Sequence, residues 1–147
     1  MCKLLIECSR DQEEVRLTVT ASNQNGQFRT ESIASLPAIE AQVDDARLHL
    51  SRLFKNANTP ILELRFGHFG KKFAVGATCI TFQYEKPRNF LVTLELETEP
   101  ISDQPQDFAR LHFKADPSCL DAFLEQLREV AKNSHGIAEL VGQSIYD

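Results

Sequence analysis

A thiol seven residues beyond an imidazole is the nearest this chain comes to a catalytic pair. Cys119 falls where a helix should begin, and the free N–H groups of a helix start favour a thiolate, with His112 on the preceding segment as its base. Two features weigh against it. Asp116 lies three residues before Cys119 and disfavours a neighbouring negative charge, and His112 alternates with Arg110 and Lys114 on a polar face. A small core cysteine beside Leu120 is the simpler reading, and a cysteine-dependent enzyme using Cys119 and His112 stands as the alternative function.

Gly67-His68-Phe69-Gly70-Lys71-Lys72 brackets two lysines with glycine, as a phosphate-cradling loop does, but it lacks the spacing and terminal hydroxyl of a nucleotide-binding loop. A strand rather than a helix follows it. A β-turn with solvated lysines accounts for the same residues. The histidines His49, His68, His112 and His135 show no metal-ligand spacing, and the four cysteines form no CxxC pair, so no metal or cofactor is expected.

The carboxylates are more informative. Glu95, Glu97, Glu99, Asp103 and Asp107 crowd one stretch that holds no Lys or Arg. Removing those five from the 21 acidic residues leaves 16, equal to the number of Lys and Arg, so the whole net charge of −5 resides there. On a strand, Glu95, Glu97 and Glu99 share one face at about 7 Å intervals, a row that repels itself and attracts cations. These five residues are the expected partner-binding set, and the expected partner is a protein with a basic surface. Nucleic acid is not expected, because the basic residues are dispersed; a local patch from Arg47, Arg52, Lys55, Lys71 and Lys72 is the minor alternative.

At 147 residues the chain is long enough for one self-sufficient core, read as a single domain over 1–147. Its 42% apolar content is ordinary for a globular protein, and its apolar runs are too short to cross a bilayer or serve as a secretory leader. A cytoplasmic location with free thiols at Cys2, Cys8, Cys79 and Cys119 is expected.

The elements that must position these residues follow from periodicity. Lys3–Cys8, Val15–Ala21 and Gln27–Ile33 read as strands, the last two joined through Asn25-Gly26 as a hairpin. Leu36, Ile39, Val43, Ala46, Leu50, Leu53 and Ala57 then recur at steps of three and four, the stripe of a helix. Strand patterns return at Leu62–Phe66, Phe73–Ala77 passing into Ile80–Tyr84, Phe90–Leu96 and Phe108–Phe113, with a change of phase near Gly76 and, in the last, a slip in the alternation that lets Phe108, Leu111 and Phe113 be read inward together. Asp116-Pro117 opens a second helix that His135-Gly136 closes, with Gly136 in the left-handed exit position. The apolar tail from Ile137 should dock on the core or on a second copy. No internal repeat is visible.

This order predicts an α+β fold, an antiparallel, strongly curved sheet of about six or seven strands with two helices packed on it. A homodimer through the first helix or the tail is compatible with the apolar stripe. In size, charge and element order the chain resembles immunity and inhibitor proteins that neutralise cationic partners, which implies a non-enzymatic protein-binding module. Ten Phe residues also permit a small-ligand carrier with a pocket between sheet and helices.

Overall fold

Apolar residues at every second position bury one side of each N-terminal strand. In β1 (Cys2–Asp11) Leu4 and Ile6 are fully buried, and in β2 (Glu14–Asn23) Leu17, Val19 and Ala21 are. The Asn23–Gly26 turn leads into β3 (Gly26–Ile33), as the Asn-Gly pair predicts. The computed structural model describes residues 2–11, 14–53, 62–67, 69, 76–85, 89–99 and 104–146. The expected strand over 73–75, His68, Ala57 and Asp103 lie outside the described residues.

Helix α1 (Leu36–Leu53) buries Ile39, Val43, Ala46 and Leu50, four positions of the expected stripe. Strands β4 (Leu62–Gly67), β5 (Ala77–Glu85), β6 (Asn89–Glu97) and β7 (Phe108–Ala115) then form an antiparallel meander. Helix α2 (Pro117–Asn133) follows, with Asp116 as its N-cap, and β8 (Gly136–Gly142) ends the fold. The residue in the left-handed conformation at the end of α2 is Ser134 (φ 58°) rather than Gly136. His135 Nδ1 lies 2.9 Å from the Asn133 carbonyl there.

The expected single sheet is corrected to two. The described strands form two antiparallel four-stranded sheets, ordered β3-β2-β1-β8 and β4-β5-β6-β7. Periodicity gives each strand's buried face but not its neighbour. The apolar tail folds back as β8 beside β1, placing Gly142 opposite Cys2, and α1 separates β3 from β4 so that the second meander starts a sheet of its own. One hydrophobic cluster unites the inner faces of both sheets with the buried sides of both helices, and the Phe123 ring of α2 lies 6.5 Å from Phe82 of β5.

The architecture contains a repeat that the amino-acid order conceals. A helix leading into an edge strand of a four-stranded antiparallel sheet occurs once as α1-β4-β5-β6-β7. It occurs again as α2-β8 followed in space by β1-β2-β3, with the chain's ends falling between β8 and β1. The helices pack against each other, and Arg47 reaches Asp121 (3.9 Å) and Glu125 (2.5 Å) while Arg128 reaches Asp44 (3.6 Å), the pattern of an antiparallel pair. Ile39, Val43, Ala46 and Leu50 of the α1 stripe are buried in the common core.

Among the described residues, two seams join the sheets. Lys114 and Gln143 exchange backbone hydrogen bonds of 2.8 and 2.7 Å, tying β7 to the end of β8, and a Cβ on Gly142 would collide with the Phe113 ring. On the other side Thr30 of β3 donates its hydroxyl to the Glu97 carbonyl at 2.6 Å, and Gly76 fits between that carbonyl and the Glu31 carbonyl, where a Cβ would lie 2.2 Å from the latter.

Candidate functional site: the acidic end of the second sheet

The β6–β7 hairpin positions the carboxylates. Leu94 and Leu96 of β6 point into the core, which turns Glu95 and Glu97 to the outer face, each half-buried, and leaves Glu99 exposed beyond the strand. Glu95 stands opposite Arg110 and Glu97 opposite Phe108. The mouth of the hairpin is held shut by Thr98: its N–H donates to the Asp107 carbonyl (3.0 Å), and its hydroxyl accepts from the Asp107 N–H (2.9 Å). The Gln106 side chain adds a bond to the Thr98 carbonyl (2.8 Å). Glu99 and Asp107 are thereby displayed, both exposed, at the base of the loop.

The five expected partner-binding residues therefore separate. Glu97, Glu99 and Asp107 gather at one end of the sheet; Asp103 lies outside the described residues. Glu95 is farther in and forms an ion pair with Arg110, Oε1 to Nη2 3.7 Å. That bridge is solvent-exposed and weak, so it moderates the negative field without extinguishing it.

Phe108 is the residue that the periodicity misplaced. Reading it inward with Phe113 required a slip in the alternation, whereas Ala109, Leu111, Phe113 and Ala115 in fact turn inward without one, and Phe108 stands 55% exposed beside the carboxylates. Its odd spacing from Leu111 and Phe113 was the available signal. The Phe69 ring approaches it edge-on at 6.3 Å, making a small aromatic patch in an anionic setting.

Of the alternative thiol pair, Cys119 is engaged by the carboxylate that caps its helix. Cys119 donates its Sγ–H to Asp116 Oδ2 (3.5 Å) and its backbone N–H to Asp116 Oδ1 (2.8 Å). Burial, then the Asp116 carboxylate, push the Cys119 thiol above its ordinary range, the opposite of what a nucleophile needs. Asp116 in turn is held below the usual carboxylate range, first by the Ser118 hydroxyl and then by the Cys119 N–H. His112 projects to the outer face with Arg110, while its carbonyl accepts from Asn23 Nδ2 at 3.1 Å. Cys8 and Cys79 are also raised, burial being the largest cause.

Among the described residues no group of His, Cys, Asp and Glu could hold a metal ion, and no described helix is long and apolar enough to cross a membrane. Of the alternative basic patch, Arg47 is engaged by Asp121 and Glu125, and the side chains of Arg52, Lys55, Lys71 and Lys72 lie outside the described residues. The described clefts open on the surface. One of about 540 Å³ lies between the start of α1 and β4, and one of about 680 Å³ lies along the helix pair.

The fold defines an α+β protein of two four-stranded sheets around a helix pair, with an anionic, aromatic-bearing hairpin end. No family model matches the chain, and no curated protein or solved structure matches it.

Proposed function

We propose that the protein is a non-enzymatic protein-binding module of the inhibitor or immunity type, engaging a basic partner surface through the acidic end of the β6–β7 hairpin. The supporting observation is the grouping of Glu97, Glu99 and Asp107 around the exposed Phe108 on a hairpin mouth locked by Thr98. An exposed aromatic contributes desolvated contact area, and surrounding carboxylates steer a cationic partner and exclude anionic ones. A rigid display lowers the ordering cost of association. The raised thiol and the outward His112 lend no support to the cysteine-dependent alternative.

Pull-down from the native host compares the wild type with the combined variant Glu97→Gln, Glu99→Gln, Asp107→Asn over a salt series. The wild type retains a partner that the variant loses, most clearly at low salt. Identical partners retained to identical salt by both proteins contradict the proposal.

A further inference from the structure

The hydrogen-bond parity of β7 leaves part of its outer edge unanswered among the described residues. Thr98 bonding to Asp107 sets the odd-numbered residues of β7 toward β6, so the N–H and C=O of Phe108, Arg110, His112 and Lys114 turn away from it. Lys114 is answered by Gln143, and the His112 carbonyl by Asn23. Among the described residues, nothing answers the outward backbone groups of Phe108 and Arg110, whose side chains are 55% and 59% exposed.

The other edges are treated differently. Gln42 of α1 covers β4 by accepting from the Arg65 N–H (2.6 Å) and donating to its carbonyl (2.9 Å). Gln126 of α2 accepts from the Glu139 N–H of β8 (2.9 Å), the corresponding edge of the duplicated unit. On β3, Gly76 lies against the Glu31 carbonyl, and the exposed Arg29 guards the stretch before it, as charge on an edge commonly does. The β7 stretch also carries an exposed arginine, Arg110, but adds to it an exposed aromatic ring beside Glu97, Glu99 and Asp107.

We propose that Phe108–Arg110 is a strand-addition site, at which a basic, extended segment of the partner protein pairs with β7. The inference rests on the acidic-surface reading above and specifies how the partner docks. Backbone pairing supplies affinity, and the neighbouring charge selects a lysine- or arginine-bearing strand. Its long cationic side chains lie across Phe108 toward the exposed Glu99 and Asp107, stem on the ring and charge on the carboxylate.

The probe is an acetylated, amidated nonapeptide alternating lysine with threonine, titrated into the full chain with amide hydrogen exchange as a second readout. Binding slows exchange at the Phe108 and Arg110 N–H groups. Arg110→Pro removes the outward donor yet leaves the β6 ladder intact, and it weakens binding at least about ten-fold relative to Arg110→Ala, which binds as tightly as the wild type or tighter. The same peptide with alternate backbone nitrogens methylated keeps its charge but cannot pair, and it also loses at least about ten-fold; this arm stands even where Arg110→Pro fails to fold. Equal affinity for parent and methylated peptides, no wild-type binding, or a wild-type dimer that Arg110→Pro abolishes would overturn strand addition. Retained binding by Arg110→Pro alongside loss in the triple carboxylate variant sinks the edge and spares the acidic surface. The reverse pattern sinks the acidic surface and spares the edge.

Discussion

Arg110 and Glu95 face each other across the β6–β7 ladder, Nη2 to Oε1 3.7 Å, so the innermost carboxylate of the acidic stretch is answered by the strand beside it. The exposed carboxylates of the stretch, Glu99 and Asp107, lie beyond it, where the ladder ends. Arg110 limits the field in the direction of the sheet centre.

Removing that limit should strengthen the surface. Arg110→Ala is expected to raise affinity for the lysine–threonine peptide by about two- to five-fold at low ionic strength, with the gain shrinking as salt screens the exposed charges. Isothermal titration at two salt concentrations checks it; an affinity loss would mean that Arg110 itself contacts the ligand.

Phe108 and Phe123 should part company as the surface and core members of the Phe set. Phe108→Ala leaves the melting temperature nearly unchanged but weakens partner binding, because its ring is largely in water. Phe123→Ala empties a fully buried site against Phe82 and costs about 3–5 kcal/mol. Chemical denaturation of the two variants separates the roles.

Asp116 gives the fold a specific acid sensitivity. Its carboxyl is held below the ordinary range in the folded state, so the stabilisation is present above the unfolded aspartate value of about 3.9 and is lost as pH falls through the lower folded value. Asp116→Ala removes a helix cap at a cost of about 1 kcal/mol near neutral pH. The difference from wild type should shrink toward pH 2 in urea unfolding curves; a constant difference contradicts the assignment.

Cys119 should behave as a reluctant thiol. Burial and the neighbouring Asp116 hold it protonated at neutral pH, so iodoacetamide labelling of the folded protein lags a model thiol at pH 7 and accelerates only above the ordinary value of about 8.5. Asp116→Asn removes the nearby charge and brings the acceleration to lower pH. Fast labelling of wild-type Cys119 at pH 7 would reinstate the thiol mechanism.

The strands and helices were legible because each buries one face, and Leu4/Ile6, Leu17/Val19/Ala21 and Ile39/Val43/Ala46/Leu50 write that face at the proper period. Pairing was not. Nothing local in Gly136–Gly142 distinguishes a docked tail from the outer strand that completes the first sheet, and no residue similarity reveals that α2-β8-β1-β2-β3 repeats α1-β4-β5-β6-β7. The acidic stretch was visible as charge, but its division depended on register: only the ladder shows Glu95 answered by Arg110 and Glu97 set beside Phe108. The edge caps from Gln42 and Gln126 were equally hidden, since a helix-surface glutamine carries no mark of the backbone it will meet.

On the function proposed above, the end of the β6–β7 hairpin binds by negative charge. Its most direct test is the salt dependence of affinity for the lysine–threonine peptide, measured for the wild type and for Glu97→Gln, Glu99→Gln, Asp107→Asn combined. The wild type should lose affinity steadily with added salt, and the variant should start about ten-fold weaker or more and follow a flatter line. Superimposable lines for the two proteins would contradict the account.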